Sequence, residues 1–134
     1  LNCSSLSPVS ALCLSKSACK VATFSLVRSK LRFNSRVASL GDKVSALTVS
    51  LDLPFAMNRF CGAESIESMK NGSDYMDRSF GKDWGVLIDE LKILARAVFV
   101  LDSKGVVQYV QVVPEVAEEP DYDSAIAAVE KLLA

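Results

Sequence analysis

The sequence predicts an α/β fold in which a central mixed sheet is flanked by helices. Three observations point there. An all-apolar stretch, Ala97 to Leu101, runs into a tight-turn sequence, Asp102-Ser103-Lys104-Gly105, and then into a second strand-like run, Val106 to Val113. A final segment opens on Pro120 and Asp121 and places Tyr122, Ile126, Val129 and Leu133 on one helical stripe. Half of the 134 residues are apolar, which suffices for one core and argues against wholesale disorder.

The elements follow in order. Residues 1–19 show no clean period. Lys20 to Val27 alternates in the manner of a strand. Arg28 to Leu40 has helical spacing, with Leu31, Val37 and Leu40 as apolar anchors and Gly41 as a stop. Val44 to Leu51 reads as a buried strand. Asp52 is expected to cap a helix that has Pro54 in its first turn and runs through Phe55, Met57, Phe60 and Cys61 to about Gly62. Asn71-Gly72-Ser73 reads as a turn, and Ser79 to Trp84 as a short helix. Gly105 is placed for a positive φ between the hairpin strands. In the last helix, Asp121 and Asp123 suit the first turn and Lys131 the last. A hairpin followed by a C-terminal helix is the second half of a thioredoxin-like fold, here with its N-terminal strands missing or altered.

Charge divides the chain. The whole carries a net charge of −1, yet no acid precedes Asp42. Before it stand Lys16, Lys20, Arg28, Lys30, Arg32 and Arg36. We therefore expect two parts: an anomalous basic, Ser-rich segment, 1–27, and a folded domain, 28–134. Three readings of the first part stay open: an organellar leader, the product of a misread coding frame, or a native folded segment. Six cations without interleaved aromatics do not make a nucleic-acid arm, and no nucleic-acid partner is expected. No apolar run approaches the roughly 20 residues of a membrane helix, so no membrane partner is expected either.

Absences narrow the chemistry. Histidine is missing altogether, which removes Ser–His and Cys–His pairs and histidine metal sites. The four cysteines, Cys3, Cys13, Cys19 and Cys61, form no C-x-x-C and no zinc-like spacing. No metal or other cofactor is expected. Any role for cysteine here is that of a reactive thiol, although a lone helix cysteine such as Cys61 is more often a small buried apolar residue.

Four ordered motifs carry a resemblance. Asp52-Leu53-Pro54-Phe55-Ala56 continues to Arg59-Phe60-Cys61-Gly62-Ala63-Glu64. Arg78-Ser79-Phe80-Gly81 is followed by Trp84-Gly85-Val86. Then come Leu94-Ala95-Arg96-Ala97-Val98-Phe99-Val100 and Glu119-Pro120-Asp121-Tyr122. Together, over about residues 47–134, they resemble the thiol peroxidase branch of the peroxiredoxins, with Trp84 in place of the usual Tyr.

The resemblance implies a two-cysteine peroxidase that reduces hydrogen peroxide and alkyl hydroperoxides through a sulfenic acid and an intrachain disulfide. It implies thioredoxin as reductant, a homodimer, and a cytoplasmic protein, or an organellar one if the basic segment is a leader. Cys61 matches the resolving cysteine. Arg96 matches the arginine that stabilises the attacking thiolate and the peroxide.

One departure stands out. The family carries its peroxidatic cysteine in a Pro-Ser-x-Asp-Thr-x-x-Cys loop before a helix ending in Arg-x-Phe-Asn. This chain keeps Leu31-Arg32-Phe33-Asn34, but the family's spacing counts back to Leu26. The peroxidatic cysteine is thus unassigned, with Cys19 a weak candidate fourteen residues before Phe33. The alternative function is a catalytically degenerate thioredoxin-like dimerisation or binding domain that retains only the resolving cysteine.

Overall fold

The computed structural model describes residues 19–24, 30–63 and 69–134. Seven strands and four helices follow one another. They are β1 (Cys19–Phe24), α1 (Lys30–Ser39), β2 (Val44–Ser50), α2 (Pro54–Ala63), β3 (Met69–Ser73), α3 (Ser79–Asp83), β4 (Leu87–Ile88), β5 (Ile93–Leu94), β6 (Ala97–Leu101), β7 (Val107–Val112) and α4 (Tyr122–Leu133). Five strands form one sheet in the order β3-β2-β1-β6-β7, and β4 and β5 pair separately. β1 runs parallel to β2, and β2 parallel to β3, while β6 is antiparallel to both β1 and β7.

β1 is therefore the middle strand, and it lies inside the segment expected to be anomalous. The alternation read at Lys20 to Val27 marks a strand that pairs on both edges, from Cys19 opposite Val44 to Phe24 opposite Val49. The domain boundary expected at residue 28 thus falls after the first strand of the sheet. The basic charge of the segment obscures this, because backbone pairing on two sides outweighs an untidy side-chain pattern.

β3 is a second difference. Asn71-Gly72-Ser73 reads locally as a turn, but these residues pair in parallel with Thr48, Val49 and Ser50. Gly72 leaves its missing Cβ in ordinary contact with Val49 and Leu47, at 3.7 and 3.8 Å. The exposed ladder of β2 recruits the segment, and a turn propensity of well under a few kcal/mol gives way. A third difference is small. Asp52 is one residue early for a cap: Leu53 supplies the first carbonyl, to Met57 N at 3.1 Å. The Asp52 carboxylate instead accepts the Ser50 hydroxyl.

Period-two alternation builds a core on each face of the sheet. On one face Val44 and Ala46 of β2 and Val98 and Val100 of β6 meet Phe33 and Val37 of α1 and Ala125, Ile126 and Val129 of α4. On the other, Val49, Ala97, Phe99 and Leu101 meet Phe80 and Val86. Trp84 joins this second cluster, stacked on Phe80 at 5.3 Å and edge-on to Phe99 at 4.8 Å. β6 is buried along its whole length, as the apolar run predicts. Gly105 closes the hairpin at φ 85°.

Two helix starts are satisfied by named carboxylates. Asp121 caps α4, its carboxylate accepting the backbone N–H of Asp123 and Ser124 at 3.1 Å. α3 follows Arg78, which sits at φ 51°. Its first N–H groups find the buried carboxylate of Asp74, at 3.1 Å from Phe80 N and 2.8 Å from Gly81 N. A Cβ on Gly81 would lie 2.6 Å from Leu94 Cδ2 and 3.1 Å from Leu87 Cβ. The glycine of the Arg-Ser-Phe-Gly motif is there for close packing.

Candidate active site

Because β1, β2 and β3 are parallel, their carboxyl ends share one edge of the sheet. In open α/β sheets that edge is where ligands bind. β6 runs the other way, so its amino end arrives at the same edge, with Ala97 opposite Phe24. The residue before Ala97 is Arg96. It stands beside the last residue of β1, Phe24.

Arg96 is half-buried. Its carbonyl accepts Val113 N at 2.8 Å, which extends the β6–β7 ladder by one pair. Its Nη1 donates to the Glu118 carbonyl at 3.2 Å. Arg96 shares parity with Val98 and Val100, so its side chain belongs to the face covered by α1 and α4. Among the described residues the ion pairs are those of Arg36 and Lys92, and none involves Arg96. The guanidinium charge is held in place without a carboxylate partner there.

Cys61 is a free, half-buried thiol on α2. The steps from β1 to β2 and from β2 to β3 run in the same direction across the sheet. Right-handed crossovers then place α1 and α2 on one face. Cys61 and Arg96 thus share a face. Cys61 lies seven residues into α2 from Pro54, or about 10 Å along the helix axis.

The backbone of Cys19 is not at this edge. Cys19 begins β1, level with Val44, at the opposite end of the sheet. Five steps along the strand separate its backbone from that of Phe24, or about 16 Å. Strand direction alone therefore sets the backbone of the weak candidate at the end of β1 away from Arg96. Cys3, Cys13 and Leu26 lie outside the described residues. The connection from β1 to α1 reads Ser25-Leu26-Val27-Arg28-Ser29, with neither cysteine nor threonine.

Some features at this face were not anticipated. The Phe33-Asn34 remnant and the Glu119-Pro120-Asp121-Tyr122 motif meet: the Phe33 and Tyr122 rings are 5.2 Å apart. Between them a groove of about 420 Å³ is lined by Phe33, Arg36, Glu119, Pro120, Tyr122 and Asp123, among others. Arg36 of α1 pairs with Asp123 of α4 at 2.5 Å. Both partners are exposed, so the pair contributes under about 1 kcal/mol. Periodicity gives no hint of such a pair, since its members are 87 positions apart.

Two titrations near this face are displaced. The Ser124 hydroxyl and backbone N–H, with the Asp123 N–H, hold the Asp121 carboxyl below its ordinary value. Burial, with the charge of Asp121 added, pushes the Tyr109 hydroxyl up. Among the described residues no group of three or more Cys, Asp or Glu side chains converges as a metal site would require.

Comparison with known proteins places this arrangement. The Redoxin family pattern matches residues 22–126, beginning inside β1. The thiol peroxidase of Streptococcus pneumoniae (strain ATCC BAA-255 / R6) is 50% identical over 101 residues, covering 75% of this chain and 61% of the relative. That of Bacillus subtilis (strain 168) is 48% identical over 102 residues, covering 76% and 60%. The chain thus spans about three-fifths of the length of these relatives. Among solved structures, a peroxiredoxin-like protein from Aquifex aeolicus superposes with a TM-score of 0.77 at 38% identity, over 88% of this chain and 74% of that one. The thiol peroxidase of Chromobacterium violaceum shares the fold alone, with a TM-score of 0.72 at 17% identity, over 86% and 72% of the two chains. By its central strand, its two-sided core and its sequence, the chain belongs to the Redoxin family and has a thioredoxin-like fold.

Proposed function

We propose that this chain serves as a thioredoxin-dependent thiol peroxidase that reduces hydrogen peroxide and alkyl hydroperoxides. The observation that carries the proposal is the position of Arg96. It is a half-buried cation with no carboxylate partner among the described residues, at the sheet edge where β1 ends. In this reading an attacking thiolate bonds to the distal oxygen of the hydroperoxide and displaces the proximal one. The O–O bond breaks, the sulfur is oxidised to a sulfenic acid, and the leaving oxygen takes a proton to become an alcohol, or water from hydrogen peroxide. Arg96 stabilises the thiolate and the charge that develops on the peroxide. The Cys61 thiol then attacks the sulfenic sulfur, releasing water and forming a disulfide. Thioredoxin, a dithiol, returns that disulfide to two thiols and is itself oxidised. The reading includes a homodimer in the cytoplasm, or in an organelle if the basic segment is a leader. No helix among the described residues is long and apolar enough to cross a membrane.

A second reading rests on the composition of 25–29. With no cysteine in that connection, the domain would keep Cys61 and the fold but not turn over. Peroxide treatment followed by peptide mapping separates the two. The peroxidase forms an intrachain disulfide that includes Cys61 and that thioredoxin reverses. In the non-catalytic domain Cys61 remains a thiol.

A further inference from the structure

The connection from β7 to α4 encloses Arg96 on two sides, and its sequence gives no reason for doing so. At its start, buried Val113 donates its N–H to the Arg96 carbonyl at 2.8 Å. At its middle, the Glu118 carbonyl accepts Arg96 Nη1 at 3.2 Å. Between them a turn is closed by Glu118 N on the Glu115 carbonyl, also at 3.2 Å. At its end Pro120 is buried against α1 in the groove, and Asp121 N donates to Gln111 Oε1 at 2.9 Å. The segment is thus pinned at both ends, with one carbonyl presented to the guanidinium in between.

We infer that residues 114–120 are the positioning element of Arg96, and that the Glu118 carbonyl, not its carboxylate, is the group that acts. A long flexible side chain at a strand end has several rotamers and loses conformational freedom on being fixed. A carbonyl fixed in the backbone selects one of them and adds no charge. A carboxylate in the same place would compensate the cation and blunt its effect on a thiolate. The acids of the segment, Glu115, Glu118 and Glu119, are all exposed, which keeps their charges in water. The inference rests on the proposed role of Arg96, and its test is built so that the two can fail separately.

The test uses a Leu26→Cys background, which places a thiol at the position that the spacing from Phe33 marks, and reads the pH midpoint of its alkylation. Arg96→Ala in that background raises the midpoint by about 1 unit or more. If Arg96→Ala leaves it unchanged while the Leu26→Cys background consumes peroxide faster than the parent, the proposed role of Arg96 fails. Given that shift, Glu118→Pro, which removes the turn donor and displaces the carbonyl, also raises the midpoint. Glu118→Ala, which keeps the carbonyl, leaves it in place. An unchanged midpoint in Glu118→Pro overturns the positioning inference and spares the role of Arg96. A shift in Glu118→Ala equal to that in Glu118→Pro overturns it too, since the carboxylate would then be the acting group. Circular dichroism and thermal unfolding verify that each variant folds. If Glu118→Pro does not fold, Pro120→Gly loosens the same segment and is held to the same two outcomes.

Discussion

Replacing Gly81 by Ala tests the packing around α3 in numbers. A Cβ built there lies 2.6 Å from Leu94 Cδ2, 3.1 Å from Leu87 Cβ and 3.6 Å from Asp74 Oδ2. The first contact is an overlap, and the Leu94 methyl can yield only by disturbing the cluster of Phe80, Phe99 and Leu101 that it packs against. The second atom is a Cβ and moves only with its backbone. Overpacking of this kind costs about 1–3 kcal/mol, and two simultaneous contacts argue for the upper half. Alanine is the better helix former by up to about 1 kcal/mol, which offsets part. The net expectation is a loss of about 1–2 kcal/mol, or about 3–8 °C in Tm for a chain of this size. Urea unfolding of Gly81→Ala, with Leu94→Ala and the double variant, isolates the cause. The double variant should lose less than the sum of the singles, by about 0.5 kcal/mol or more. If Gly81→Ala is as stable as the parent, or the singles simply add, the close-packing account of this glycine is refuted.

Three further outcomes follow from named contacts. Asp74→Ala leaves the Phe80 and Gly81 N–H groups of α3 without their acceptor and should cost about 2–4 kcal/mol in urea unfolding, with Asp74→Asn losing less. Asp121 has a depressed carboxyl in the folded state, so its contribution is present above the ordinary carboxylate range and is lost as pH falls through the folded value. The Tm of Asp121→Asn, followed from neutral to about pH 3, should fall less steeply than the parent's on the acid side. In the second reading, where the parent chain does not turn over, Leu26→Cys supplies a thiol at the family position, and peroxide consumption with thioredoxin should rise by at least about tenfold. An unchanged rate would separate that position from the active site.

The second half of the chain was legible because each element there is local. The run Ala97 to Leu101, the turn at Gly105 and the stripe on α4 declare themselves within a few residues of each other. β1 and β3 were harder because long-range pairing makes them what they are. β3 contains a turn dipeptide, and β1 lies in a stretch whose charge pattern resembles a leader. The candidate site shows the same division. Motifs name Cys61 and Arg96, and sheet register explains why Arg96 stands at the carboxyl end of β1 and Cys19 at the other. The Glu118 carbonyl left no trace in the sequence, because a backbone acceptor has no residue type. Asp74 sits six residues ahead of the N–H it caps, outside the spacing that signals an ordinary helix start.

Peptide mapping after peroxide treatment tests the proposed function most directly. The purified chain is treated with hydrogen peroxide, its remaining thiols are blocked, and the digest is read by mass spectrometry before and after incubation with reduced thioredoxin. The account predicts one intrachain disulfide that contains Cys61 and disappears with thioredoxin. Cys61 recovered as a free thiol after peroxide would contradict it and leave the non-catalytic thioredoxin-like domain as the function of this chain.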